Sequence, residues 1–266
     1  MILDEIILTK RKEIEALKER LATAKTEFDP NLRDFKSSIN QENKISLIAE
    51  IKKASPSAGI IVKNFDPVSI AKQYESSGAF AISVLTDKTY FQGEIGFLKQ
   101  VRAAVKLPVF RKDFIIDELQ ITESRIAGAD AILLIARILE LPDLSRFLEK
   151  AKELGLQVLL ETHDEYDIEK ALSLNCDIVG INNRNLDTLK VDFNNSLKLL
   201  DKFPELKSRI LVSESGISEK SQIDELKSAG FSAVLIGESL LKSEDVLGKM
   251  REMFGNNFQF PMSNFQ

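Results

Sequence analysis

Short apolar runs alternate with amphipathic segments from residue 45 to residue 254, and this pattern predicts eight buried strands that are each followed by a helix. The strands are predicted at Ile45–Ile51, Phe80–Leu85, Pro108–Phe110, Ala131–Ile135, Gln157–Glu161, Asp177–Ile181, Arg209–Ser213 and Ala233–Ile236. The helices are predicted at Pro67–Ser77, Ile95–Val105, Glu118–Ala127, Asp143–Leu154, Glu165–Leu174, Ser196–Phe203, Glu219–Ala229 and Asp245–Phe254. Regular alternation of the two elements is typical of an α/β protein with a parallel sheet. Eight units favour closure into a (β/α)8 TIM barrel over an open doubly wound sheet.

Two segments lie outside the eight units. Residues Met1–Lys25 form a predicted amphipathic helix with an apolar stripe that Lys10 interrupts, made of Leu3, Ile7, Ile14, Leu17 and Leu21. The stripe is too short for a coiled coil, so we expect this helix to pack over one end of the barrel. We therefore expect a single domain over residues 1–266, with residues 1–44 as an N-terminal helical extension over the barrel. The tail Gly255–Gln266 has no regular pattern and is expected to be a loosely attached end.

Charged and amide side chains stand where several of the apolar runs end. Glu50 and Lys52 close the first run two positions apart, so both side chains point to the same face of the strand. Others follow the third, fifth and sixth runs: Lys112, Glu161, Asn182 and Arg184. Polar groups at the carboxyl ends of parallel strands are the layout of a barrel active site. The structural alternative is a Glu50–Lys52 salt bridge that only closes the barrel mouth.

Lys112 and Glu161 have the most specific chemistry among these residues. A lysine that is partly desolvated beside other cations has a lowered pKa, so we expect Lys112 to donate a proton or to form a Schiff base. Its neighbour Arg111 alternates outward and is expected to be a structural ion-pair partner. Glu161 would be a general acid or base if burial raised its pKa. His163 is expected to be a satisfied loop or capping residue.

Glycines follow the last two predicted strands, in Ser213-Glu214-Ser215-Gly216 and in Ile236-Gly237-Glu238. Glycine allows a backbone to approach a ligand closely, and barrels commonly bind phosphate in the loops after strands seven and eight. The net charge is −5, so an anionic substrate needs cations concentrated locally, as they are at these strand ends. The acidic balance also argues against a nucleic-acid partner.

The remaining composition excludes several classes of protein. The single histidine argues against a metal site. The single cysteine, Cys176, precedes an apolar run and is expected to be a buried thiol in a reducing, cytoplasmic setting. No apolar run approaches the ~20 residues of a membrane span. The N-terminus lacks the order of a secretory signal.

The motifs at the predicted strand ends, taken in their order along the chain, resemble those of the indole-3-glycerol phosphate synthase family of tryptophan biosynthesis. The resemblance extends from the N-terminal helix to about Met250. The most specific matching segments are residues 49–57 (AEIKKASPS), 83–87 (SVLTD), 90–93 (YFQG), 112–117 (KDFIID), 180–186 (GINNRNL), 213–217 (SESGI) and 236–240 (IGESL). The resemblance implies a carboxy-lyase. In its reaction 1-(2-carboxyphenylamino)-1-deoxyribulose 5-phosphate loses carbon dioxide and water as the pyrrole ring of indole-3-glycerol phosphate closes. The family needs neither a metal nor an organic cofactor.

The resemblance also implies roles for individual residues. Lys112 matches the acid for ring closure, and Asn182 matches a positioning residue that hydrogen-bonds near Glu50. The candidates for the dehydration step are matched by Glu161, Glu50 and Lys52. The sequence leaves open which of the three acts as acid and which as base. Lys52 and Ser55 match contacts to the anionic groups of the substrate. The positions around the phosphate are Arg184, Ser215, Gly216, Gly237 and Glu238, the last through its backbone N–H. The apolar slot for the anthranilate ring is formed by Phe91, Leu133 and Leu186.

The N-terminal helix of this family lies across the catalytic end of the barrel. Its basic residues here could face the anionic substrate, but a solvated face is the favoured interpretation for Lys10, Arg11 and Lys12. Two positions depart from the family pattern. Ala58 stands where many members have lysine, and Glu94 stands where serine usually follows the YFQG segment. We expect these changes to remove one cation and to bring a negative charge near the site.

Two alternative functions remain open from the sequence. One is a Schiff-base aldolase that acts through Lys112 on a phosphorylated sugar. The other is an inactive phosphate binder, which is disfavoured because the complete acid–base set is present. The oligomeric state is left open, and a monomer is compatible with the sequence.

Overall fold

The computed structural model describes residues 2–23 and 28–255. Its centre is a closed barrel of eight parallel strands, in which β1 pairs with both β2 and β8. The strands are β1 (Ser46–Ile51), β2 (Ala81–Leu85), β3 (Val109–Lys112), β4 (Ala131–Ile135), β5 (Gln157–Thr162), β6 (Ile178–Asn182), β7 (Ile210–Glu214) and β8 (Ala233–Ile236). The prediction of an α/β TIM barrel is confirmed, with all eight strands in the predicted places.

The helices between the strands begin and end within two residues of their predicted limits. The α-helices are α1 (Ile2–Thr23), α2 (Phe35–Ile39), α3 (Pro67–Ser76), α4 (Lys88–Phe91), α5 (Ile95–Ala104), α6 (Glu118–Ile126), α7 (Leu141–Glu153), α8 (Glu165–Ser173), α9 (Asn194–Lys202), α10 (Lys220–Ala229), α11 (Glu238–Leu241) and α12 (Val246–Phe254). Three short helices, α2, α4 and α11, were not predicted. A small hairpin after β1, Ala54–Ser55 with Gly59–Ile60, was also missed. Each is too short to show a period in the sequence.

The alternation of side chains along each strand decides which residues face the inside of the barrel. In β1, Leu47 and Ile51 belong to the core between the strands and the helices, whereas Ile48 belongs to the core inside the barrel. Glu50 shares the parity of Ile48, so it points inward at the carboxyl end of the strand. The same parity turns four other strand-end residues inward: Lys112, Glu161, Asn182 and Glu214.

The N-terminal helix α1 is attached to the barrel through a buried lysine. The Lys10 Nζ atom lies 2.8 Å from Asp87 Oδ2 and 2.9 Å from Asp113 Oδ1, and these two carboxylates follow β2 and β3. The Lys10 side chain is 2% exposed, so the expectation of a solvated Lys10 is wrong. A buried ammonium is tolerated here because two carboxylates compensate its charge. Arg11 and Lys12 are exposed, as expected.

Residues Ile14 and Leu17 confirm part of the predicted apolar stripe of α1, and Ile6 is buried with them. Helix α2 covers the opposite end of the barrel from the carboxyl ends of the strands. Its Phe35 ring stacks on Phe110 inside the barrel, with the ring centroids 5.4 Å apart. The N-terminal segment therefore contacts both ends of the barrel. The ends of the predicted first helix, and the predicted tail beyond Gly255, lie outside the described residues.

Candidate active site at the carboxyl ends of the strands

An open cavity of about 530 Å³ lies at the carboxyl ends of the strands. All the predicted site residues except Ser55 line it: Glu50, Lys52, Phe91, Lys112, Leu133, Glu161, Asn182, Arg184, Leu186, Ser215, Gly216, Gly237 and Glu238. Ser55 lines a smaller cavity of about 80 Å³, which shares six lining residues with the first: Lys52, Ser57, Phe91, Phe114, Arg184 and Leu186. Its hydroxyl accepts a hydrogen bond from the Ala58 N–H at 3.2 Å. The fold therefore gathers residues from all parts of the chain into one region.

Glu50 and Lys52 form a close ion pair at the mouth of the barrel. The Lys52 Nζ atom lies 2.6 Å from Glu50 Oε1, and both side chains are largely buried. Gly237 packs directly against this pair, because a Cβ atom at position 237 would lie 2.5 Å from Glu50 Oε1. Any larger residue would displace the carboxylate. Gly237 therefore leaves the space that the Glu50 carboxylate occupies at the cavity wall.

The ammonium group of Lys112 is surrounded by carboxylates. Its Nζ atom lies 3.0 Å from Glu161 Oε2 and 2.5 Å from Glu214 Oε2, and the side chain is 14% exposed. Burial by itself lowers the pKa of Lys112, but the carboxylates of Glu161, Glu214 and Glu50 raise it above its ordinary value. The expectation of a lowered pKa is wrong, because the neighbours of Lys112 in space are acids. Lys112 is therefore an ammonium at neutral pH, which is a proton donor rather than a nucleophile.

Glu161 is held ionised by two cationic neighbours. Burial raises the pKa of this carboxyl, but Lys112 and His163 together bring it below its ordinary value. The His163 Nε2 atom lies 3.0 Å from Glu161 Oε1, on the side opposite to the Lys112 contact with Oε2. The hypothesis of a raised pKa for Glu161 is therefore wrong. An ionised, buried carboxylate at the cavity wall can accept a proton.

Glu214 is a residue of this site that the sequence analysis missed. It ends β7, lines the cavity and contacts Lys112. Burial raises the pKa of Glu214, and the adjacent Glu161 raises it further, against the opposing effect of Lys112. The signal was available, because Glu214 closes an apolar run just as Glu50 and Glu161 do. The neighbouring glycine drew attention to phosphate binding instead.

The basic end of the cavity is organised by the loop after β6. The Asn182 Oδ1 atom accepts a hydrogen bond from the Arg184 N–H at 3.0 Å, whereas no bond from Asn182 to Glu50 is present among the described residues. The Arg184 guanidinium donates to the Leu189 carbonyl at 3.0 Å and lies 4.0 Å from Glu238. The local hydrogen bonds of Asn182 therefore position this loop and its arginine.

Apolar side chains line the rest of the cavity. Phe91, Leu133 and Leu186, which were predicted to form the slot for the ring, line the cavity together with Phe114, which the sequence analysis missed. Ala58 lines the cavity, so that departure from the family pattern falls within the site. Glu94 is exposed and lines neither cavity, so its charge is not on the cavity wall.

Two residues have the structural roles that were predicted for them. Arg111 makes ion pairs of 3.0 Å with Asp113 and with Glu123, which lies in α6. Cys176 is a buried free thiol, and burial raises its pKa to about 11. Among residues 2–23 and 28–255, no three acidic, histidine or cysteine side chains are grouped to hold a metal ion. Over the same ranges, no helix has the length and hydropathy that a bilayer crossing requires.

Comparison with known proteins agrees with this geometry. The family model described as indole-3-glycerol phosphate synthase matches residues 3–253. A protein of that name from Chlorobium phaeovibrioides is 50% identical over 249 residues, which cover 92% of this chain and 96% of the relative. The namesakes from Campylobacter fetus and Neisseria meningitidis are 44% and 46% identical, and the matches cover 96% and 95% of this chain and 100% and 99% of the relatives.

A solved structure, thiamine phosphate pyrophosphorylase from Pyrococcus furiosus, superimposes with a TM-score of 0.59 over 79% of this chain and 94% of its own. At 15% sequence identity this likeness supports the barrel fold alone. The near-complete matches to named relatives confirm the predicted enzyme class and its ring-closing reaction. Because the family model spans almost the whole described chain and relatives reach 50% identity, this chain belongs to the indole-3-glycerol phosphate synthase family.

Proposed function

We propose that this cavity carries out the ring closure with Lys112 as the general acid. The observation that supports the assignment is the position of its ammonium between Glu161 and Glu214 at the cavity wall. Since the carboxylate of Glu161, which is held ionised, raises the pKa of Lys112, the Lys112 ammonium is protonated at neutral pH. It can then protonate the substrate carbonyl while the aromatic carbon attacks. Loss of carbon dioxide from the closed ring restores the aromaticity of the benzene ring.

The carbonyl oxygen that Lys112 protonates is the same oxygen that later departs as water. Dehydration therefore takes place beside the same group of side chains. Glu214, whose pKa burial raises, supplies the proton to the departing hydroxyl. Glu161, which is held ionised, removes the proton from carbon that completes the indole ring. Two carboxyl groups in different environments thus act as acid and base.

Lys52 and the loop after β6 hold the anionic parts of the substrate in this proposal, and Glu50 orients the Lys52 ammonium through their ion pair. Arg184 and Lys52 supply positive charge at the phosphate end, where the backbone of Gly216 and Gly237 lines the cavity. Ser215 and Glu238 also surround the phosphate in this proposal. Ser55, which lines the smaller cavity, contacts an anionic group of the substrate. The anthranilate ring occupies the slot formed by Phe91, Leu133 and Leu186. No step changes the oxidation state of the substrate as a whole, so the proposal includes no cofactor.

The proposal also includes the setting of the enzyme. Residues 1–266 act as one domain, with residues 1–44 as its extension, because α1 and α2 both pack against the barrel. We infer a cytoplasmic location, which the buried free thiol of Cys176 fits. We propose a monomer as the active form, which the sequence analysis found compatible with the chain.

The test is the Lys112→Met variant in a fluorescence assay of indole formation from the synthetic substrate. Loss of a general acid should lower kcat by about 10²–10⁴-fold. Lys36→Met is the matched control, because Lys36 pairs with Asp177 at the opposite end of the barrel and is 44% exposed. A Lys112→Met variant that keeps more than about a tenth of the wild-type kcat would exclude Lys112 as the acid. Borohydride with substrate should trap no covalent adduct on the wild-type enzyme, whereas an adduct would indicate the aldolase.

A further inference from the structure

His163 connects the active-site carboxylate Glu161 to a second buried carboxylate behind it. The imidazole Nε2 atom lies 3.0 Å from Glu161 Oε1, and Nδ1 lies 3.3 Å from Asp167 Oδ2. The three side chains are at most 5% exposed. His163 does not line the cavity. Any effect of His163 on the reaction therefore passes through Glu161.

Neighbouring side chains hold the His163 backbone, and with it the imidazole, in place. The His163 backbone N–H donates to the same Asp167 Oδ2 atom at 3.0 Å, and the Asn195 amide donates to the His163 carbonyl at 3.1 Å. The Nε2 atom also lies 3.0 Å from Glu161 Oε1, a contact that is an ion pair when the ring is protonated. These contacts come from β5, α8 and α9. The ring has little freedom to turn away from Glu161.

The charges around His163 favour its protonated form. Burial by itself lowers the pKa of the imidazole, but Asp167 and Glu161 raise it to about 9. Lys112 of β3 and Glu214 of β7 lie beyond Glu161, on its Oε2 side. The chain of groups from α8 to the cavity is Asp167, His163, Glu161, Lys112 and Glu214. Glu161 is thus placed between two cations, one on each oxygen.

We propose that the imidazolium of His163 is a positioning group that keeps Glu161 ionised and holds its Oε2 atom toward Lys112. This inference rests on the proposed role of Glu161 as the base. Without the positive charge at Oε1, Glu161 would depend on Lys112 alone, and Lys112 is shared with Glu214. Burial would then raise the pKa of Glu161, so at neutral pH a smaller fraction of the enzyme would carry Glu161 as the ionised base. The effect should appear in kcat rather than in KM, because His163 does not touch the cavity.

The proposal has a defined pH dependence. Below about pH 9 the imidazole is protonated and supports Glu161, and this support is lost as the pH rises through the pKa of His163. The pKa of Lys112 is raised further, so Lys112 does not lose its proton in the same range. We therefore expect kcat of the wild-type enzyme to decline as the pH passes about 9. The imidazolium also keeps Glu161 ionised down to lower pH. Loss of the imidazolium should therefore move the acidic limb of the kcat–pH profile to higher pH.

The experiment uses the fact that His163 is the only histidine in the chain. The Hε1 resonance of its imidazole is therefore the only histidine Hε1 resonance of the chain, and its NMR titration reports the pKa of His163 directly. The expected value is about 9 in the wild type. In Asp167→Asn, which keeps an oxygen acceptor, the pKa should fall by about 1 pH unit or more, and the alkaline limb of kcat should move down with it. A wild-type pKa near 6.5, or a limb that stays in place in Asp167→Asn, would overturn the proposal.

The second variant is His163→Gln, which retains a neutral donor without the charge. We expect kcat to fall about tenfold with KM unchanged, well below the ~10²–10⁴-fold loss of a catalytic base. The acidic limb of kcat should move to higher pH, a change that a purely structural role would not produce. An unchanged acidic limb would count against the proposal, and Asp167→Asn remains decisive if His163→Gln fails to fold. If Glu161→Gln is active, the role of Glu161 as base is wrong, whatever the NMR titration gives.

Discussion

Replacement of the buried lysine of α1 should destabilise the protein by about 3 kcal/mol. Lys10 is 2% exposed, and its ammonium compensates Asp87 and Asp113 at 2.8 and 2.9 Å. Removing one partner from a buried ion pair costs about 3–5 kcal/mol, because the remaining charge stays buried without compensation. The lower end of this range applies to Lys10→Met. Asp87 also accepts two backbone N–H groups of α4, and Asp113 also pairs with Arg111.

Urea unfolding followed by circular dichroism measures this loss. The matched control is Lys12→Met, an exposed position on the same helix, where a change within about 0.5 kcal/mol is expected. The double variant Lys10→Met/Asp87→Asn removes one of the uncompensated charges and should recover part of the lost stability. Equal free energies of unfolding for Lys10→Met and Lys12→Met would refute the ion-pair explanation of how α1 is held.

Three further outcomes follow from the cavity. Gly237→Val should lower kcat as well as raise KM, because the valine Cβ would lie 2.5 Å from Glu50 Oε1. An unchanged kcat in steady-state kinetics would show that the substitution disturbs only the phosphate contacts. Arg184→Met should raise KM several-fold with little change in kcat, and inorganic phosphate should compete with substrate less well than in the wild type; equal competition would exclude Arg184 from the phosphate site. Deletion of residues 1–25 should leave a barrel that is folded by circular dichroism but binds substrate weakly, because Ile2 and Leu3 of α1 line the smaller cavity. Unchanged KM and kcat in the truncated protein would contradict this.

The strand-end residues were predictable because a strand has a fixed side-chain period. Once Glu50 is placed at the end of an apolar run, its parity relative to Ile48 turns it into the barrel, and the same holds for Lys112 and Glu161. The order of the strands around the barrel then brings them together, although they lie about 50 residues apart or more along the chain. The catalytic roles of these residues stay predictions until the variants are measured.

The short elements and the buried lysine were not predictable in the same way. Helices α2, α4 and α11 are only four or five residues long, so no period can build up in the sequence. Lys10 interrupts the apolar stripe of α1, and a lysine on a helix surface is ordinarily solvated. Its burial depends on two aspartates, at positions 87 and 113, that pack against it only after the chain has folded.

The sequence alone determined the barrel, its eight strands and the inward-facing polar residues, because those features depend on local periods of two and about 3.6 residues. Family membership was determined at the same level, through motifs in a fixed order. Only the tertiary structure decided the charge state of the site. The pKa of Lys112 is raised and not lowered because Glu161 and Glu214 lie within 3.0 Å of it in space. Such electrostatic effects depend on distances between strands, which no pattern along a single strand contains.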